Sequence, residues 1–550
     1  MDTNSNRTVG HYAGAALVAL GAAAGCAGAA RAQPVPVTPA TLPAVAAIGE
    51  RYVSYNVEMV EVTGGNFWKP YGASSGAAPA STAGSSGSSG SSGSGGTGLK
   101  VGQDPTLFQA RPPIDPTDAR LRKLAAALGP AYVRVSGSWA NSTYFHDSDA
   151  PAPASGPEGF EGVLTRPQWR GVVEFARAVD ARITTSFAIG KGVRDAAGVW
   201  TPGEARKLLA YTTSVGGEIA AVEFFNEPTV AEYGGAPDGY DAAAYARDYA
   251  VFRAFMEATA PGTRTVNPAA VGEAVLLPAV GGGGAKGVLK TEDLLSASPR
   301  PVSDVFSFHF YGAASLRCAS LGEGAQTTAA AALSEEWLAR ADRNWAFYGG
   351  LRDRFEPGKP AWLTETADAG CGGNPWAVTF LDSFRFLDQL ARFAKRGVDA
   401  VFHNTLAASE YGLLDQDSFA PRPNYWAALL WRRLMGTTVL DAGPSRPGLR
   451  LYAHCLRGRP GGVAMLAINL SRTEPASIAL PVPAERYTLA AAGPEVQSAR
   501  VRLNGDELAL GANDELPRLG GARVPPGPVA LAPATITFLT VAEAGNGACR

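Results

Sequence analysis

Between residues 50 and 434, short apolar and β-branched runs alternate with stretches whose apolar positions recur at helical spacing. Eight runs read as strands: 52–60, 131–136, 183–189, 221–226, 263–267, 304–310, 361–365 and 399–404. Between them, Tyr245, Tyr249, Phe252 and Met256 repeat at i, i+4, i+7 and i+11, as do Phe380, Phe384, Leu387 and Ala391. Eight strands alternating with amphipathic helices predict an α/β fold, a (β/α)8 barrel over 51–434. No G-x-G-x-x-G follows the first strand, which disfavours a dinucleotide-binding sheet. After Leu434 the period changes. The runs 450–455, 462–470, 477–482, 486–490, 498–503 and 531–541 read as short strands separated by Gly, Pro and Asn turns, predicting an antiparallel β-sandwich over 435–550. The Pro-interrupted segment 33–50 has no place in a barrel and is expected to add an edge strand to that sandwich.

The chain has 550 residues, 46% of them apolar and 18% charged, which fits a folded protein with a large core rather than a disordered one. Its net charge of −2 and the lack of any Lys/Arg run argue against a nucleic-acid partner. Residues 1–32 read as an export signal: Arg7, an apolar stretch from Ala13 to Ala24, and Ala30-Arg31-Ala32 as a cleavage site. Cys26 adds a weak likeness to a lipoprotein box. No later run is long enough to span a membrane. The Gly/Ser tract 81–98 reads as a flexible insertion, and Gly281–Gly287 as a loop, because Lys286 is followed by Gly where a phosphate-binding loop needs Ser or Thr. Export permits disulfides: Cys455 and Cys549 are expected to pair and tie the C-terminus to a neighbouring strand, whereas Cys318 and Cys371 suit free thiols and a bond equally. The five histidines show no metal-binding spacing, so neither a metal nor a cofactor is expected.

In a barrel of this kind chemistry sits at the C-terminal ends of the strands. Glu227 is expected to close the fourth strand in Phe224-Phe225-Asn226-Glu227-Pro228, and Glu365 the seventh in Trp362-Leu363-Thr364-Glu365. Both should face a solvent-filled mouth. A purely structural Glu at either position would instead pair with a buried Arg such as Arg134. Two carboxyls facing one pocket suit glycoside cleavage: one protonates the leaving oxygen while the other attacks the anomeric carbon or activates water.

Asn226-Glu227-Pro228 with Glu365 resembles the clan of retaining barrel glycosidases. The finer likeness is to glycoside hydrolase family 79, the heparanase and β-glucuronidase family. It is carried by Leu128–Ser138 (LGPAYVRVSGS), the Asn-Glu-Pro region, Glu365–Gly373 (ETADAGCGG) running on to Leu381–Phe384, and Arg450–Cys455 leading to Ala467–Leu470. The resemblance implies Glu227 as acid/base, Glu365 as nucleophile and Asn226 as partner of the sugar 2-hydroxyl. It also implies Glu58 and Ser138 as sugar-binding positions and His309 and Tyr311 as flanking residues of the nucleophile. Gly372, Gly373, Asn404 and Tyr411 correspond to the part that holds the glucuronate carboxylate. Cys371 stands where heparanase-like relatives carry Gly, Thr229 where they carry Asn, and no basic cluster for heparan sulfate is visible. The expected activity is that of an exported, monomeric retaining β-glucuronidase acting on a glycan or glycoside. The alternatives are a heparanase-type endo-enzyme and a catalytically silent carbohydrate-binding protein.

Overall fold

A computed structural model describes residues 33–72, 104–279 and 287–550. The export signal with Cys26, the Gly/Ser tract and all but the last residue of the Gly281–Gly287 loop lie outside the described residues. Eight parallel strands close into a barrel: β1 (Val53–Glu58), β2 (Ala131–Ser136), β3 (Ala181–Ser186), β4 (Ile219–Glu223), β5 (Arg264–Ala270), β6 (Val305–Tyr311), β7 (Ala361–Ala367) and β8 (Val398–His403). Each pairs with its sequence neighbours, and β8 pairs with β1. The helices Ala242–Thr259 and Phe380–Lys395 bury the periodic residues that predict them, Tyr245, Tyr249, Phe252 and Met256 on one, Phe380, Phe384, Leu387 and Ala391 on the other.

Alternation along the strands sorts their residues to two sides. Tyr132, Ala221, Val266, Val305, Trp362, Ala400 and Phe402 form one buried layer, in which the Tyr132 ring lies 4.7 Å from Trp362 and 5.6 Å from Phe402. Residues of the other parity, such as Phe306, Phe308 and Leu363, join the larger core shared with the helices. The aromatic layer fills the barrel interior below the pocket, as side-chain layers do in this architecture.

Beyond Leu434 two sheets pack face to face. Val35–Pro36, Ala476–Leu480 and Gly527–Leu531 form a small sheet. The larger one includes Ala44–Ala47, Met435–Leu440, Leu449–Leu456, Val463–Asn469, Thr535–Val541 and Ala484–Ala491. Residues 33–50 thus contribute a strand to each sheet. Leu451, Met465, Ile478, Val529 and Leu539 fill the space between the sheets, while Tyr452, Leu466, Ile468 and Phe538, on the larger sheet's other face, belong to the core shared with the barrel helices. Cys455 is bonded to Cys549, and Cys318 to Cys371.

Candidate active site

The two glutamates reach the pocket by routes that differ from the expected ones. β4 ends at Glu223, so Glu227 lies in the following loop rather than closing the strand. It adopts a left-handed backbone with φ 54°, uncommon for a residue with a Cβ. Glu365 lies inside β7, which runs on to Ala367. Strict alternation would send Glu365 to the helix side with Leu363. However, Phe308 pairs with Leu363 while the next residue, His309, pairs with Glu365, so Thr364 is an extra residue that turns Glu365 into the barrel. Bulges of this kind re-aim side chains beside active sites. Neither carboxyl stands in an open, solvent-filled mouth as expected: the Glu365 side chain is 9% exposed and that of Glu227 16%.

Arg134, on β2 and buried, is the hub. Its Nη1 donates to Glu365 Oε2 at 2.9 Å, its Nε and Nη2 to Glu223 Oε2 at 3.0 and 2.8 Å, and Nη2 also to Asn226 Oδ1 at 2.7 Å. The last bond orients the Asn226 amide, whose Nδ2 lies 3.4 Å from Ser138 Oγ. Asn141 holds the Asn226 backbone from both sides, donating to its carbonyl at 3.0 Å and accepting from its N–H at 2.9 Å. On the other side of Glu365, the Tyr311 hydroxyl donates to Oε1 at 2.6 Å and accepts from Asn404 Nδ2 at 3.0 Å. Asn404 also donates to the Tyr411 hydroxyl oxygen at 3.3 Å, and that hydroxyl donates to no acceptor among the described residues. His309 Nδ1 lies 3.0 Å from Glu227 Oε1 and 3.8 Å from Glu365 Oε2. Glu58, ending β1, is buried with Oε2 unpartnered, and a Cβ on Gly137 would come within 1.6 Å of that oxygen. Gly137 also has a positive φ of 89°, which favours glycine there. This network joins Glu227, Glu365, Asn226, Ser138, His309, Tyr311, Asn404 and Tyr411, with Glu58 at its edge; Gly373 stands beside Tyr411, whose N lies 3.1 Å from where a Gly373 Cβ would stand, and Gly372 beside Ser409, while Cys455 and Cys549 lie apart in the sandwich.

The electrostatics separate the two carboxyls. Burial raises the Glu227 pKa to about 7; Arg134 opposes the rise and the Glu223 charge adds to it. Glu365 instead accepts one bond from a guanidinium and one from a hydroxyl. Burial lowers the His309 pKa to about 4, so its ring is neutral near pH 7 and adds no charge beside Glu227. Glu58 is pushed well above the usual carboxylate range by burial and by the Glu365 charge. Donor atoms of Glu227, His309 and Glu365 lie within 4.8 Å of one another. A cation held there would compete with Arg134, already bonded to Glu365, and would meet its repulsion.

Two features were not singled out in the sequence. Glu223 sits within an apolar run, a signal worth reading, since a charge on a buried strand needs a partner. Asn141 carries no comparable mark.

Residues 115–391, half of the chain, match the family model described as glycosyl hydrolase family 79, N-terminal domain. Heparanase-like protein 1 of Arabidopsis thaliana is 30% identical over 376 residues, which cover 65% of each chain. Baicalin-beta-D-glucuronidase of Scutellaria baicalensis is 32% identical over 166 residues, covering 29% of this chain and 31% of that protein. The chain thus spans less than two thirds of the length of these curated relatives. A 4-O-α-L-rhamnosyl-β-D-glucuronidase from Fusarium oxysporum superposes with a TM-score of 0.56 at 14% identity, covering 93% of this chain and 99% of that one, a likeness of fold. With the barrel, its inward-turned glutamate pair and the match over half its length, the chain belongs to glycoside hydrolase family 79.

Proposed function

We propose that the protein is an exported retaining β-glucuronidase that releases β-linked glucuronic acid from a glycan or glycoconjugate. The observation that carries this reading is the spacing and unequal environment of its two carboxyls. The facing oxygens of Glu227 and Glu365 lie within 4.8 Å of each other, which suits the ~5–5.5 Å carboxyl separation of retaining enzymes and is too close for the water of an inverting one. Glu227, half protonated at about pH 7, gives its proton to the leaving oxygen as the charged Glu365 attacks the anomeric carbon. The C–O bond to the aglycone breaks and a glycosyl ester forms on Glu365. In the second step Glu227, now a carboxylate, takes a proton from water; the resulting hydroxide attacks the anomeric carbon and frees Glu365. Arg134 and Tyr311 keep Glu365 oriented in both steps.

The choice of sugar rests on the Gly372-Gly373 turn and the Tyr411 hydroxyl. Both glycines are buried, and their N–H groups donate to no acceptor among the described residues, which suits a planar carboxylate. The name of the Scutellaria relative agrees with this reading. Two disulfides favour an oxidising compartment and therefore export. Following p-nitrophenyl β-glucuronide hydrolysis by NMR tests the proposal: the β-anomer should appear first. First appearance of the α-anomer, or absence of hydrolysis, rejects it.

A further inference from the structure

Three consecutive residues, Cys371, Gly372 and Gly373, have positive φ (59°, 79° and 82°), a conformation that Cys does not adopt readily. What holds them there is visible in their carbonyls. Cys371 O accepts from Ser315 Oγ at 2.8 Å and from Arg317 Nη1 at 3.3 Å. Gly372 O accepts from Ser409 Oγ at 2.7 Å and from the Glu410 N–H at 3.3 Å. Gly373 O accepts from Arg317 Nη1 at 3.0 Å and from the Tyr71 hydroxyl at 3.1 Å. In a trans peptide the C=O and the following N–H point in opposite directions. Pulling the Cys371 and Gly372 carbonyls into the protein therefore turns the Gly372 and Gly373 N–H groups the other way.

Arg317 is the residue common to this arrangement. Its side chain is 4% exposed, lies 4.0 Å above the Tyr71 ring, donates to Lys69 O at 3.0 and 2.7 Å, and pairs with Glu410. Its neighbour Cys318 is bonded to Cys371, so the guanidinium and the covalent bond grip the same turn from one loop. With all its donors spent on protein groups, Arg317 has no role as a direct anion ligand.

We propose that Arg317, locked in place by the Cys318–Cys371 bond, is a positioning residue for uronate recognition: through Cys371 O it sets the direction of the Gly372 N–H, and through its pairing with Glu410, whose own N–H holds Gly372 O, it supports that of the Gly373 N–H, without touching substrate. This rests on the β-glucuronidase reading, and the test separates the two. Wild-type enzyme is compared with Arg317→Lys, Arg317→Gln/Glu410→Gln and Cys318→Ser/Cys371→Ser on p-nitrophenyl β-glucuronide and p-nitrophenyl β-glucoside. The double variants remove both buried partners together, so that neither an unpaired charge nor a lone thiol complicates folding. For each variant with a cooperative thermal transition, KM for the glucuronide should rise at least tenfold with kcat within about threefold, while kcat/KM for the glucoside stays unchanged. Arg317→Lys, which keeps the charge but not the fork, should fall between the wild type and the double variants. Equal losses on both substrates, or an unchanged glucuronide KM in the disulfide-free and charge-free variants, overturn the positioning role. A wild-type enzyme that fails to prefer the glucuronide overturns the underlying reading as well.

Discussion

Replacing Glu365 by Gln should lower the pKa of Glu227. The two carboxyls face each other within 4.8 Å, and at that distance unit charges repel by about 3.5 kcal/mol at an effective dielectric of ~20 and about half that in a wetter pocket. At 1.36 kcal/mol per pH unit, removing the Glu365 charge is worth between about 1 and about 2.5 pH units. Arg134, which opposes the rise at Glu227, keeps its pairing with Glu223 but loses its carboxylate partner at 365, and its positive charge, no longer shared with Glu365, favours the same lowering. Gln also keeps an oxygen for the Tyr311 hydroxyl, which limits rearrangement. Titration of the Glu Cδ resonances by 13C NMR, with Glu227→Gln to assign the signal, measures the effect. In wild-type protein the Glu227 signal should titrate near 7, and in Glu365→Gln distinctly lower. An unchanged or raised midpoint would refute the claim that these carboxyls sense each other. The proposed retaining mechanism needs the same drop, because ester formation on Glu365 would remove the same charge and turn Glu227 from acid to base. As pH rises through about 7, Glu227 loses the proton that the proposed mechanism has it donate, so kcat/KM should fall across that range.

The barrel was legible because each of its strands is an apolar run between turn residues, and burial on both faces demands such runs. Both glutamates stood out for the same reason, as charges at the end of apolar segments. The way each reaches the pocket did not. A bulge inserts one residue that looks like any other, so nothing in Trp362-Leu363-Thr364-Glu365 shows that Thr364 breaks the alternation. Likewise, no property of Glu227 as a residue type announces a left-handed backbone. Arg134 could be read as a partner that would make a glutamate merely structural; the structure shows it bonding Glu365 and Glu223 together, so the structural and chemical readings coincide. Cys318 and Cys371 stand 53 residues apart, on loops after β6 and β7. Only the neighbouring positions of those strands bring the thiols together, which is tertiary information that spacing does not carry.

Azide should separate the two glutamates: with Glu365→Gly it can replace the missing nucleophile and yield a glycosyl azide of inverted configuration, whereas with Glu227→Gly it should intercept the glycosyl-enzyme with configuration kept, and NMR of the products reads the difference. Removing the Cys455–Cys549 bond, which closes a span of 94 residues, should cost about 4–5 kcal/mol in the chain-entropy model, less any native strain, read as a lower midpoint of denaturant unfolding. Tyr411→Phe removes a pocket hydroxyl that donates to no acceptor among the described residues, while Asn404 keeps its bond to Tyr311, so the change falls on the substrate and not on the Glu365 network. A charge-assisted hydrogen bond is worth about 1.5–3 kcal/mol, so kcat/KM for a glucuronide should drop about 10- to 150-fold. A glucoside has no carboxylate to lose and its slow hydrolysis should hardly change. Equal losses on both sugars would mean that the hydroxyl serves Glu365 through Asn404 and Tyr311 rather than the carboxylate, and would move uronate recognition away from this wall of the pocket.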